Sequence, residues 1–170
     1  MNVLEVAMGE AHVSREVFLP RFEEVDMFDR DSHAVNMALA LQKKHPRIKR
    51  VELSTMQAYQ FQTKYSLVFM RYVSGYMSDG EYKAFLRKAK VALKATRTEH
   101  GGKCRGCAYI IIMDNIAEAD MIPGEKDGQT VRTQPEYERL FRQAGLKIKA
   151  QSELITVPKN LCDLKIWGLA

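Results

Sequence analysis

An unbroken apolar run, Ala108-Tyr109-Ile110-Ile111-Ile112-Met113, stops at the pair Asp114-Asn115. It is too short for an ordinary helix and rich in isoleucine, so it predicts a strand buried on both faces. Such strands belong to parallel sheets covered by helices, where function gathers just past the carboxyl ends of the strands. Asp114 and Asn115 are predicted to stand there.

The other apolar stretches fall in line around this strand. Val3 to Ala7 predicts a strand, Met8 to Ala11 a turn, and Val13, Val17 and Phe18 a short helical face that Pro20 ends. Glu24 to Asp29 predicts the second strand, which also finishes on a carboxylate. Asp31 or Ser32 suits the cap of a helix that buries Ala34, Val35, Ala38 and Leu41, with Pro46 as its stop. Further strands are expected over Ile48 to Leu53 and Tyr65 to Met70. Ser78-Asp79-Gly80-Glu81 is a capping box for a helix burying Tyr82, Phe85, Leu86, Ala89 and Leu93. Thr133-Gln134-Pro135-Glu136 is a second one, for a helix burying Tyr137, Leu140, Phe141 and Ala144 and ending at Gly145. Strands over Leu146 to Ile155 and Leu161 to Leu169 close the chain, with Trp167 in the core. Alternating strands and helices give an α/β three-layer sandwich in one domain over residues 1–170.

Composition adds bounds. The 170 residues are 46% hydrophobic and 28% charged, as in an ordinary globular domain. No apolar stretch reaches the length of a membrane span, and the start lacks the basic and apolar regions of a signal peptide. Three cysteines are too few for a disulfide framework, which favours a reducing intracellular compartment. The net charge is +5, concentrated in Lys43 to Arg50 and in a longer stretch from Lys83 to Arg105. Such a surface is either a solvated helix face or a place for nucleic acid or an acidic partner. Residues 95–107 read as an exposed basic loop. Within it, His100, Cys104 and Cys107 offer three zinc ligands without a clear fourth, so two free thiols are the expectation and no metal is assigned.

Candidate chemistry starts at the first turn. Backbone that approaches a ligand closely favours glycine, and here Gly9 stands between Ala7 and Ala11. Asp29, 20 residues past Gly9, has the spacing of an acidic group that binds ribose hydroxyls, or of a plain strand-end carboxylate.

The stretch Phe18-Leu19-Pro20-Arg21-Phe22-Glu23-Glu24-Val25-Asp26-Met27-Phe28-Asp29 resembles the protein α-N-terminal methyltransferases. The similarity continues through Met56-Gln57, Tyr65 to Asp79, Phe85 to Lys88, Asp114 to Ala117 and Gln143 to Leu146. These enzymes use S-adenosylmethionine (SAM) to methylate the α-amine of Xaa-Pro-Lys/Arg termini. The resemblance implies a Rossmann-like seven-stranded SAM-dependent methyltransferase sheet. It assigns Gly9, Asp29 and Gln57 to the cofactor, with His12 where an arginine meets the cofactor carboxylate. It assigns Asn115 and Asp127 to the substrate amine, Tyr72 and Asp114 to substrate binding, and Tyr76 to the place of a catalytic histidine. Tyr59 and Phe61 are further candidates for a peptide groove.

Departures from that pattern gather at the site. Two glycines of the turn are Ala7 and Ala11, and Tyr76, with a phenol near pKa 10, cannot act as a neutral-pH base as histidine does. The helices that precede the first strand in the family have no counterpart in this chain. Two functions are therefore expected: an active methyltransferase acting on a protein N-terminal peptide, or a degenerate methyltransferase-like subunit with a structural role in a larger assembly. In the second, a protein complex or an RNA would meet the basic surface of residues 83–105. Neither involves a membrane.

Overall fold

The computed structural model describes residues 1–94, 97–98, 104–105, 107–117, 129–154 and 163–170. The chain forms two compact units, Met1–Phe69 with Ala92–Tyr109, and Met70–Val91 with Ile110–Ala170.

In the first unit, β1 (Asn2–Val6) is buried along its whole length, its apolar Val3, Leu4 and Val6 together with the hydrogen-bonded Asn2 and Glu5. It pairs in parallel with β2 (Glu24–Asp29), Val3 opposite Val25 and Val6 opposite Phe28. β2 pairs in parallel with β3 (Ile48–Leu53), so the order is β3-β2-β1, followed by Leu67–Phe69 of β4 (Leu67–Arg71). Helix α1 (Ser32–Gln42) packs on β2 and β3, and its N-cap Asp31 accepts a hydrogen bond from the His33 N–H. Ala34, Val35 and Ala38 are buried as expected, while Leu41 is half-buried. The helical face predicted around Val17 is a π-helical turn, Ser14–Phe18, whose Leu19 N–H donates to the Ser14 carbonyl. The Ser14 hydroxyl is tied to the buried Glu5 carboxylate, and Phe18 sits edge-on to Phe22 and Phe69. Residues 97–98 and 104–105 of the expected loop are described. Its β5 (Arg97–Thr98) and β6 (Cys104–Arg105) pair antiparallel.

In the second unit, the end of β4 is followed by a single 3-10 turn, Ser74–Tyr76, and by α2 (Asp79–Ala92). The Ser78–Glu81 capping box forms, and Tyr82, Phe85, Leu86 and Ala89 are buried. The strand order is β4, β7 (Tyr109–Ala117), β10 (Asp163–Leu169), β9 (Ile148–Leu154), with β8 (Arg132–Thr133) beside β7. β10 runs antiparallel to both neighbours, Trp167 opposite Ile112 and Lys165 opposite Glu153. The cross-strand Glu153 and Gln134 accept the Lys165 ammonium, which is what lets a lysine be buried there. Helix α3 (Gln134–Gln143) has the predicted capping box, ends before Gly145 at φ 78°, and packs Tyr137 and Phe141 against a fully buried Trp167.

Two expectations for the apolar run are corrected. β7 is fully buried on the face of Ile110, Ile112 and Asp114 only, while Tyr109, Ile111 and Met113 are half-buried. Nor does it stop at Asp114. Ile116 and Ala117 pair with Arg132 and Thr133 of β8, which extends the ladder and leaves Asp114 and Asn115 inside the strand. With β8 the sheet has eight strands among the described residues, one more than predicted.

Candidate functional site

The turn after β1 keeps a glycine-type backbone without most of its glycines. Ala7, Gly9 and Ala11 have φ of 52°, 52° and 54°, all in the left-handed region. An L-residue pays about 1–2 kcal/mol for that conformation, so Ala7 and Ala11 must be held there by their surroundings. Three hydrogen bonds do so. Met8 N–H donates to the Phe28 carbonyl, Ala11 N–H to the Met8 carbonyl, and Gly9 N–H to Asp29 Oδ2 at 2.9 Å. The other oxygen of Asp29 accepts the Asp31 N–H at 2.9 Å. Asp29 is thus a strand-end carboxylate that braces the turn, and each oxygen keeps acceptor capacity for a further donor.

Around Gly9 there is room. A Cβ placed there would meet nothing within 4 Å. The open backbone at Gly9 beside a carboxylate with spare lone pairs fits a nucleoside with vicinal hydroxyls, such as that of SAM. His12 is exposed and held at both nitrogens, Nδ1 2.8 Å from an Arg15 guanidinium nitrogen and Nε2 2.8 Å from Glu10. Arginine can only donate, so Nδ1 faces the Arg15 guanidinium as an acceptor, and Nε2 faces the Glu10 carboxylate. Positive charge at this spot comes from Arg15, a residue the sequence pattern did not single out. Gln57 is exposed beside a buried Met56. Tyr59 does not line a groove, and Phe61 is half-buried. Tyr59 is buried and stacked on Phe28 at 4.0 Å, with Phe61 edge-on to it, because an aromatic run beside β2 has more apolar surface to gain inside.

The second unit carries the other candidates. Tyr72 lies just past β4 at φ 55°, an unusual conformation for a bulky side chain, with its N–H on the Met113 carbonyl at 3.0 Å. Its ring is 41% exposed, and that of Tyr76 is 46% exposed. The Tyr76 hydroxyl accepts from the Gln129 amide at 2.6 Å, and Thr130 N–H donates to the Gly75 carbonyl. A Cβ at Gly75 would stand 3.1 Å from the Thr130 carbonyl oxygen, so glycine permits this close approach.

Asp114 points into the protein and contacts Ser74 and the Asn115 N–H. Burial raises its carboxyl above the usual value, against the lowering effect of those hydrogen bonds. It is therefore an internal brace for Asn115 with little surface of its own. Asn115 is half-buried. Asp127, His100 and the Cys104 side chain lie outside the described residues. Cys107 is disulfide-bonded, so the expectation of two free thiols does not hold for it. Among the described residues no cluster of His, Cys, Asp and Glu suits a metal ion, and no helix is long and apolar enough to cross a membrane.

The basic stretch on α2 is partly spoken for. Lys83 reaches the Gln143 side chain, Arg87 the Gln143 carbonyl and Lys90 the Gly145 carbonyl, so two of these cations satisfy backbone carbonyls at the carboxyl end of α3.

An open turn after β1, a carboxylate ending β2 and an antiparallel strand placed between β7 and β9 define a Rossmann-like SAM-dependent methyltransferase fold. A SAM-dependent methyltransferase of Leishmania major shares it, with a TM-score of 0.85 at 18% identity over 99% of this chain and 64% of that one. The family model described as AdoMet dependent proline di-methyltransferase matches residues 1–170, and the chain belongs to that family. It is 21% identical over 171 residues to alpha N-terminal protein methyltransferase 1 of Arabidopsis thaliana, covering 98% of this chain and 58% of that protein. It is 24% identical over 168 residues to N-terminal Xaa-Pro-Lys N-methyltransferase 1 of Homo sapiens, covering 98% of this chain and 70% of that one. The chain thus spans little more than half the length of the Arabidopsis relative.

Proposed function

We propose that this chain binds SAM at the turn after β1 and methylates the α-amine of proteins that begin Xaa-Pro-Lys or Xaa-Pro-Arg. The observation that carries this reading is the turn itself. Its three left-handed residues and the Gly9–Asp29 hydrogen bond keep the backbone open at Gly9 although two glycines have been replaced.

When bound, SAM supplies a methyl group already activated on a sulfonium. The protein has then to bind, orient and deprotonate. Asp29 holds ribose hydroxyls with its remaining lone pairs, and the exposed Gln57 serves the adenine edge. Arg15, beside His12, provides the charge for a carboxylate. In the second unit, the Tyr72 ring packs on the substrate proline and the Asn115 carboxamide orients the terminal amine. Asp127 takes up the amine proton, a role that rests on its position in the sequence. A protein or RNA partner on the basic stretch of residues 83–105 has less support, since Lys83, Arg87 and Lys90 are engaged with α3.

The alanines at 7 and 11, and a His12 engaged with Glu10 where the family has an arginine, favour a second reading, a catalytically silent subunit. Isothermal titration calorimetry of SAM on the purified chain, followed by mass spectrometry of a peptide beginning Ser-Pro-Lys, separates the two. Binding with Kd of about 1–100 μM and stepwise methyl addition at the α-amine are expected. Absence of heat at millimolar SAM would overturn the enzyme reading.

A further inference from the structure

Behind Asn115 lies a polar network to which the proposed reaction gives no part. Ser74, Asp114 and Tyr137 are 0%, 5% and 1% exposed, and they are joined to one another. Asp114 Oδ1 accepts the Asn115 N–H at 3.0 Å. Its Oδ2 accepts both the N–H and the hydroxyl of Ser74, at 3.1 and 2.6 Å. The one hydroxyl hydrogen of Ser74 is thereby committed to Asp114. The 2.6 Å contact between Ser74 Oγ and the Tyr137 hydroxyl must then be a donation from Tyr137. The hydroxyls line up as a chain from Tyr137 through Ser74 to Asp114, each polarised by the next.

This chain holds the main chain of Asn115 from one side. Its N–H is held by the Asp114 carboxylate, while the Tyr137 hydroxyl, its hydrogen given to Ser74, stands 3.4 Å from the Asn115 carbonyl. The Asn115 carboxamide, by contrast, makes no hydrogen bond to another described residue. The same strand end controls Tyr72, whose N–H is bound to the carbonyl of Met113, one residue before Asp114. Arg132 closes the back of the network by donating to the Ser74 and Met77 carbonyls. Apolar side chains of similar volume would join two strand ends without desolvating a charge. What hydrogen bonds add is direction.

We propose that Ser74, Asp114 and Tyr137 are positioning residues that set the direction of the Asn115 carboxamide relative to Tyr72, and through it the affinity for a peptide amino terminus. The proposal rests on the reading of Asn115 and Tyr72 as the peptide half of the site. Tyr137 acts through Ser74 and Asp114 and does not itself touch the peptide.

The test uses the full chain and calorimetric titration with S-adenosylhomocysteine, then with a Ser-Pro-Lys peptide in its presence. Tyr137→Phe removes only the hydroxyl and keeps the ring packing, and Ser74→Ala breaks the chain at its centre. Leu140→Ala, or Leu140→Val if the first does not fold, removes buried apolar volume from α3 without touching a hydrogen bond of the network. Peptide affinity is expected to fall about tenfold in Tyr137→Phe and at least as much in Ser74→Ala. S-adenosylhomocysteine affinity should stay within about twofold, and the Leu140 variant, though less stable, should hold the peptide as wild type does. Wild-type peptide affinity in Tyr137→Phe and Ser74→Ala would overturn the proposal alone. So would a Leu140 variant that loses peptide affinity as they do, since the network would then be structural only. If wild type binds S-adenosylhomocysteine but no peptide, the reading of Asn115 fails and takes the proposal with it. If it binds neither, the methyltransferase reading falls as well.

Discussion

Ala7 and Ala11 occupy backbone conformations that suit glycine, and the rest of the turn compensates for the mismatch. Hydrogen bonds to Phe28, Met8 and Asp29 hold the turn, so the strain is met partly from β2 and partly within the turn. Ala7→Gly should therefore stabilise the chain by about 0.5–1 kcal/mol in urea unfolding, the relief of left-handed strain less the extra freedom of glycine in the unfolded state. Asp114 makes the opposite kind of statement, in charge. Burial raises its carboxyl above the ordinary 3.8, so the folded chain keeps that proton at pH values where the unfolded chain has released it. The stability this group contributes rises as pH falls from the raised value toward 3.8, and is lost as pH rises through the raised value. Asp114→Asn does not titrate. Urea unfolding between pH 7 and pH 4 should show wild type gaining on the variant as pH drops.

At the scale of elements, Arg132 does more than its place in a two-residue strand suggests. It is buried and donates to Asp79, to the Ser74 carbonyl and to the Met77 carbonyl, with Tyr82 packed 5.6 Å beneath the guanidinium. It closes the 3-10 turn and the start of α2 in one grip. Burial would raise the Asp79 carboxyl, but the hydrogen bonds from Arg132 and Arg139 outweigh it and hold it below its usual value. Arg132→Ala leaves two buried carbonyls without a donor and should cost about 2–4 kcal/mol in urea unfolding. Arg132→Lys keeps the charge but not the planar fork, and should recover less than half of the loss. The capping boxes of α2 and α3 were legible in the sequence because each is a local exchange over four residues. Arg132 was not, because its partners stand 53 to 58 residues away along the chain.

At the scale of the molecule, the candidate residues divide between the two compact units: Gly9, His12, Arg15, Asp29 and Gln57 in the first, Tyr72, Tyr76, Asp114 and Asn115 in the second. The proposed roles divide the same way, which makes the two halves separable by mutation. Asp29→Ala should weaken SAM by at least about tenfold, since it removes both the ribose acceptor and the brace of the turn. Asn115→Ala should leave SAM affinity within about twofold and abolish measurable binding of a Ser-Pro-Lys peptide. Calorimetry of each variant with each ligand checks both, and equal loss of SAM in the two would contradict the division.

The sequence by itself determined the longer elements and their kind, though not the two-residue strands β5, β6 and β8. The bounds of β2 and β3, the caps of α1, α2 and α3 and the stop at Gly145 follow from neighbours in the chain. The family followed from residues that keep their order along it. Tertiary structure decided what those residues do. Periodicity marks a position as buried and is blind to a hydroxyl at the end of a buried ring, so Tyr137 read as core until Ser74 was found against it. It cannot tell whether an aromatic run faces a groove or the interior, and Tyr59 went inside, where Phe28 offered a surface to stack on, with Phe61 half-buried against it. Nor does the pattern of glycines reveal that Ala7 and Ala11 hold a left-handed backbone, because the hydrogen bonds that hold the turn come in part from β2. Asp29 had two readings by spacing, and only the fold showed that the carboxylate braces the turn, each of its oxygens accepting a backbone N–H.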